Sequence, residues 1–450
     1  MSVKKDLKPV RKIHGTVRMP GDKSIAHRAA LVSALASGPL TVRNFADGSD
    51  CTSSLDAARL LGVQVQQAED GALILTPPSA INIPADSVID CGNSGTTTRL
   101  LAGLLAGTNQ RAVLSGDESL SRRPMKRIVE PLTAMGAEVV ATDGHLPLMV
   151  QGKPLLPFEY RLPVPSAQVK SALLLAGISA GCSVRVLEDV ITRDHTELML
   201  AHLGVAIEMR EVNAVLQTDP EDPRRKRRIM PEPFRKETKL GSRTRPEGGL
   251  IDVPGDVSTA AFFFAATALT GGTVTVEQVG VNPTRTAFLE HLKAIGCEVS
   301  ISDRTVISGE ARGNVTVTGG ELKGRKVSGE TTVALIDEIP ILAVLAAFSK
   351  GETIIRDASE LRHKESDRLL AIDFNLRQMG VPCGLLEDGL IIEGRKDPSG
   401  GDFEVFGDHR IAMAFAIASL AAVGPSTLDD PAVVKISCPT VFDILTQLVQ

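Results

Sequence analysis

The chain has 450 residues, 43% of them hydrophobic, with a formal net charge of −5 and a pI near 6.0. That is enough apolar material for at least two globular domains, but no overall charge to coat nucleic acid or an anionic membrane. With no Trp and a single tyrosine, Tyr160, stacking platforms for single-stranded nucleic acid are poorly supplied, so any anion has to be caught by a local cluster of cations.

The start, "MSVKKDLKPVRKIHG", is basic but lacks the apolar core of a signal peptide, and no apolar run reaches the ~18 residues of a membrane span. A cytoplasmic protein is expected. Cys51, Cys91, Cys182, Cys297, Cys383 and Cys438 are scattered, without CxxC pairs or histidines at ligand spacing, and read as reduced, buried thiols.

Next comes "PGDKSIAHR", which places Lys23, Ser24 and Arg28 after a Pro-Gly turn at a helix opening. Helix N-terminal amides with Lys, Ser and Arg make an anion cradle, although capping by Asp22 or Ser24 explains the same residues equally well. It is not a GxxxxGK[ST] loop, so nucleotide hydrolysis has little support. "DCGNSGTTTR" then sets Asn93 and Gly95 before a helix carrying Arg99, where glycines let backbone amides approach a ligand. "SRRPM" adds Arg122 and Arg123, "PSAQVKSA" adds Ser166, Gln168 and Lys170, and "TRDH" adds Arg193.

These loops recur within a repeat. Small-residue apolar helix, glycine, β-branched strand, charged loop and amphipathic helix follow one another six times, the last copy truncated. Gly62, Gly136, Gly204, Gly296 and Gly380 close the second helices, at the position where a left-handed stop is favoured. The pattern predicts a six-unit α/β array. Between the third and fourth units, Thr218 to Gly249 is Pro-rich and charged, and is expected to be an exposed, mobile insertion. Its run Arg224 to Arg228 lacks the aromatics or basic helix face of a nucleic-acid site, and a solvated loop explains it better.

The later units supply acids. "LIDEIPIL" sets Asp337 and Glu338 among apolar residues, where an acid is costly unless paired or used. "RHKESDR" gives Lys364, Glu365, Asp367 and Arg368, and "GDHRIAM" gives Asp408, His409 and Arg410. Taken alone, "RHKESDR" is a set of surface salt bridges. Together the loops describe a site with several fixed cations, two or three carboxylates, no metal-ligand pattern and no nucleophile. It suits group transfer between anionic small molecules by proton transfer.

"PGDKSIAHR", "GNSGTTTR", "RRPM", "SAQVKSA", "RHKESDR" and "DHRIAM" in this order resemble the 5-enolpyruvylshikimate-3-phosphate synthase family over nearly the whole chain. The resemblance implies an α/β fold of two inside-out, barrel-like domains, each of three βαβαββ units: residues 1–20 with 255–450, and 21–254, hinged at Pro20-Gly21 and Pro254-Gly255. It implies enolpyruvyl transfer from phosphoenolpyruvate to shikimate-3-phosphate by a monomer without cofactor or metal. Lys23, Ser24, Arg28, Ser166, Gln168, Arg193, Asp337 and Lys364 would bind shikimate-3-phosphate. Lys23, Asn93, Gly95, Arg123, Gln168, Arg368 and Arg410 would bind phosphoenolpyruvate. Asp337, Glu365 and Lys23 would be catalytic, and Gly95 would leave room for the inhibitor glyphosate. Glu365 sits among cations that favour its ionised form, so it would become an acid only after substrate anions fill the site.

His363, Ala26 and Ile436 depart from the family pattern. Ile436 stands where many members carry a phosphate-binding lysine, and the adjacent Lys435 is left without that role. A sister enzyme acting on UDP-N-acetylglucosamine shares the plan but needs a cysteine in the loop that here reads "SLSRRPM".

Overall fold

The structure is a computed structural model that describes residues 4–84, 86–213, 215–218 and 226–449. Five four-stranded sheets share one topology, shown by the unit spanning residues 87–151. Its strands Ser87–Asp90 and Arg111–Ser115 run parallel; His145–Gln151 pairs antiparallel with the latter and Glu138–Thr142 completes the edge. The Gly95–Ala106 and Lys126–Ala134 helices make the crossovers, so the unit reads βαβαββ. A sixth, three-stranded sheet of Lys5–Leu7, Asp402–Phe403 and Ser426–Leu428 is the truncated copy. Gly62, Gly136, Gly204, Gly296 and Gly380 all take positive φ, between 69° and 120°, a conformation that costs a side-chain-bearing residue but not glycine.

Helices lie inside and sheets outside. Lys23–Val32, Gly95–Ala106 and Ala167–Ala180 are buried on nearly every face and pack together in one core; Val257–Thr270, Ile339–Ala347 and His409–Ala421 do the same in another. Small residues allow the close approach: a Cβ at Gly103 would collide with the Ala172 carbonyl oxygen. One core draws on residues 25–253, the other on 7–19 and 257–448. The fold is therefore two α/β domains of repeated βα units. Among the described residues the sheets stay separate and close no barrel.

Each core borrows an edge strand. His14–Arg18 joins the sheet of Thr273–Gly280, and Gly249–Asp252 joins that of Leu40–Arg43. The chain thus crosses twice, and the crossings are bonded to each other: Asp22 N–H donates to the Pro254 carbonyl at 2.8 Å and Asp256 N–H to the Pro20 carbonyl at 2.9 Å. Both crossings read Pro-Gly-Asp, and both aspartates cap the helix that follows, Asp22 accepting from Ile25 N–H and Asp256 from Ser258 N–H.

The segment Thr218 to Gly249 departs from the exposed insertion predicted from its composition. Lys236–Leu240 is an interior antiparallel strand, and Lys236, Glu237 and Thr238 are buried. Its charges are paired, Lys236 with Asp194 at 2.9 Å and Glu237 with Arg210 at 3.0 Å, so a strand of the repeat carries a loop's composition. Val215–Thr218 and Lys226–Ile229 form a two-stranded hairpin; Arg224 and Arg225, which open the basic run, lie outside the described residues. All six cysteines are free and buried, and among the described residues no helix is long and apolar enough to cross a membrane.

Candidate active site

Between the two cores lies a cleft of about 320 Å³. Helix starts converge on it: Lys23, Gly95 and Arg368 are the first residues of their helices, and Gln168 and Arg410 the second of theirs. The positive ends of helix dipoles therefore face the cleft together with the side-chain cations. Caps hold these ends in place: Ser94 accepts from Thr97 N–H, Ser166 from Val169 N–H, and Asp408 from Arg410 N–H.

Lys23, Ser24, Arg28, Gly95, Arg123, Ser166, Gln168, Arg193, Asp337, Lys364, Glu365, Arg368 and Arg410 all line this cleft. Asn93 lies behind it, accepting a hydrogen bond from Arg123 Nη2 at 2.7 Å and donating to Asp117 at 2.7 Å. Arg122 and Lys170, picked out by their motifs, are elsewhere. Arg122 is exposed and paired with Glu118 at 3.0 Å; Lys170 is fully buried between Glu188 at 2.8 Å and Glu197 at 2.7 Å.

Two carboxylates are held by arginines from both sides. Glu365 accepts from Arg368 Nη2 at 2.7 Å and lies 3.6 Å from Arg123 Nη1. Burial works against its charge, but Arg368 and Arg123 outweigh this and hold its pKa well below the usual carboxylate range. Asp337 lies 2.6 Å from Arg193 and 4.0 Å from both Arg368 and Arg410. Burial again opposes the charge, and Arg193 and Arg410 keep the group well below its ordinary value. Both acids are ionised in the cleft.

The cations have their own partners. Lys23 Nζ donates to Asp50 at 2.9 Å, and Asp50 more than offsets the burial that works against the ammonium. Lys364 and Arg127 share Glu360 at 3.2 and 3.3 Å. Arg368 is anchored by Asp408 at 2.7 Å, and Arg410 by the Asp337 carbonyl at 2.8 Å. Arg28 is committed to Thr196, the Ser24 carbonyl and Ser171, and burial pulls its pKa down to about 10. Arg99 donates to Gln168 at 3.0 Å; burial, then the charges of Arg127 and Arg123, bring it to about 9.

Asp50, Arg127, Asp256, Ser258, Arg285 and Glu360 also line the cleft and were not singled out from sequence; Arg99 and His409, named within their motifs but given no role, line it too. The repeated Pro-Gly-Asp could have pointed to Asp256; Arg127 and Glu360 are ordinary helix and turn charges until the cores meet. His363 lines the cleft, while Lys435 and Ile436 do not.

A family model described as EPSP synthase (3-phosphoshikimate 1-carboxyvinyltransferase) matches residues 7–445. A 3-phosphoshikimate 1-carboxyvinyltransferase of Anaeromyxobacter sp. (strain K) is 43% identical, covering 97% of this chain and 94% of the relative. One from Desulforamulus reducens is 40% identical, covering 98% and 99%. Among solved structures, an EPSP synthase from Acinetobacter baumannii superposes with a TM-score of 0.81 at 35% identity, covering 100% of this chain and 98% of the other. The chain belongs to the EPSP synthase (3-phosphoshikimate 1-carboxyvinyltransferase) family.

Proposed function

We propose that this chain carries out its family's reaction with Asp337 and Glu365 as the proton-transfer pair. The reaction moves the enolpyruvyl group of phosphoenolpyruvate to the 5-hydroxyl of shikimate-3-phosphate, on the shikimate route to chorismate and the aromatic amino acids. The hydroxyl oxygen adds to C2 while C3 takes a proton, and the tetrahedral adduct then loses phosphate and a C3 proton. The observation that carries the assignment is that two partly buried carboxylates face one cleft, each held by arginines that reach it from both cores.

Asp337 takes the hydroxyl proton, and Glu365 delivers a proton to C3 and later removes one. Because Arg123 and Arg368 hold Glu365 ionised, the phosphate and carboxylate of phosphoenolpyruvate have to draw that charge before Glu365 binds a proton. Lys23, Gly95, Gln168, Arg123, Arg368 and Arg410 hold phosphoenolpyruvate, with Asn93 orienting Arg123. Ser24, Ser166, Gln168, Arg193 and Lys364 hold shikimate-3-phosphate, and Arg28 supports Ser24 from behind. The domains divide as 1–20 with 255–450 against 21–254, and the two Pro-Gly crossings are their hinges. The protein works in the cytoplasm as a monomer, and glyphosate competes at the phosphoenolpyruvate subsite beside Gly95. The test is acceptor-dependent phosphate release from phosphoenolpyruvate in chelated buffer. Release is expected with shikimate-3-phosphate and none with UDP-N-acetylglucosamine; the opposite preference overturns the reading.

A further inference from the structure

In the wall of the cleft, where the chain crosses between the cores, a buried polar cluster centres on Arg285, 5% exposed. Its Nη1 donates to Asp22 Oδ2 at 3.2 Å and to His195 Nε2 at 3.1 Å. Its Nη2 donates to Ser258 Oγ at 2.7 Å and lies 3.9 Å from Asp256. A guanidinium can only donate, so Nε2 of His195 is an acceptor; the ring is the neutral tautomer whose Nδ1–H donates to Glu310 at 2.7 Å. The Ser258 hydroxyl in turn donates to Glu338. Asn282 Nδ2 bridges Asp194 at 2.9 Å and Glu310 at 3.4 Å.

Three parts of this cluster lie beside groups assigned above. Asp22 precedes Lys23, Asp194 and His195 follow Arg193, and Glu338 follows Asp337. Asp22, Asp194 and His195 belong to the chain that builds one core, while Asn282, Arg285, Glu310 and Glu338 belong to the other. Arg285 is also the cation shared by the carboxylates that cap the helices after the two crossings. Removing one partner from such a buried network leaves uncompensated charge on the others.

We propose that Arg285, oriented by His195, is a positioning residue that fixes Lys23, Arg193 and Asp337 relative to one another across the cleft. It acts through the contacts it makes with Asp22, His195 and the Ser258–Glu338 pair in the cleft wall, not by moving a proton. This rests on the acid-base reading given above. Shikimate-3-phosphate draws most of its proposed contacts from one core, so its binding alone should tolerate a lost register. Turnover, which needs groups from both cores, should not.

The experiment compares the parent with Arg285→Met, Arg285→Lys and the double variant Asp22→Asn/Arg285→Met, whose substituted side-chain amide can still cap the helix through its oxygen. Three readouts are taken: steady-state kinetics, calorimetric titration with shikimate-3-phosphate alone, and small-angle scattering without ligand. The expected result is at least a tenfold fall in kcat and a raised KM for phosphoenolpyruvate in Arg285→Met, with shikimate-3-phosphate affinity within about threefold of the parent and a larger radius of gyration. Arg285→Lys should recover part of the loss. The double variant should regain melting temperature but not kcat. If Arg285→Met does not fold, the double variant and Arg285→Lys carry the comparison.

An unchanged kcat, a kcat restored by the double variant, or an equal loss of shikimate-3-phosphate affinity would each overturn the proposal. The first shows no role in turnover, the second mere charge neutralisation, and the third direct binding. Scattering separates this from the functional reading: a parent inactive on these substrates, with an expanded Arg285→Met, defeats the reaction assignment but leaves Arg285 as the link that sets the register.

Discussion

Arg123 and Glu365 come from different cores, yet the guanidinium lies 3.6 Å from the carboxylate across the cleft. Nearby, Ser119 donates to the Glu365 carbonyl at 3.1 Å. Glu365 is thus held by groups on both sides of the cleft, the arrangement on which its proposed role in proton transfer rests.

Glu365→Gln keeps the shape and a hydrogen-bond acceptor but cannot exchange a proton. Its kcat should fall by about 10²–10⁴-fold, the usual range for a positioned acid-base group, while shikimate-3-phosphate still binds. Rapid-quench turnover with calorimetry checks both. A loss confined to binding would remove the residue from the chemistry.

Acid stability follows from the same two carboxylates. Their folded-state pKa values lie below the unfolded ones, so their contribution is fully present above the unfolded value of about 4. It is lost as pH falls through the lowered folded values. The parent should therefore lose stability below about pH 4 more steeply than a Glu365→Gln/Asp337→Asn variant. Denaturant melts from pH 7 downward test this, and parallel curves would contradict it.

A Cβ built on Gly95 would stand 2.5 Å from Arg99 Nη1 and 3.5 Å from Arg123 Nη1. Gly95→Ala should fold, because Arg99 can swing its guanidinium aside. The displaced charge should raise the KM for phosphoenolpyruvate severalfold and weaken glyphosate inhibition more. Inhibition and substrate curves on the purified variant decide the matter.

Lys170 offers a contrast, since its motif places it beside Ser166 and Gln168 although its ammonium pairs with Glu188 and Glu197. Lys170→Met strips the cation from two buried acids and should cost about 3–5 kcal/mol of stability. The fraction that stays folded should keep the parent's KM values. Thermal melts and kinetics below the melting point separate the two effects.

The six-unit plan was legible because each unit repeats the same signals, down to the positive-φ glycines after the second helices. Site loops were legible because the repeat places them at helix starts. What the sequence concealed was pairing. Lys236 and Glu237 read as solvated charges, yet they lie in an interior strand because Asp194, Arg185 and Arg210 reach them from other elements. In the same way Asn93 reads as a ligand group, but Asp117 and Arg123 claim its amide. Arg285 sits in a turn with no motif of its own, His195 opens a helix at the end of "TRDH" without a signal for its partner, and only the meeting of the two crossings brings them together.

The central claim is that Glu365 carries the proton to C3, and the most direct test is a single turnover in heavy water with shikimate-3-phosphate and phosphoenolpyruvate. The parent should place deuterium at C3 of the product and of recovered phosphoenolpyruvate, and Glu365→Gln should place almost none within the parent's turnover time. Deuterium entering C3 at the parent's rate in Glu365→Gln would contradict the account and assign the proton to another group in the cleft.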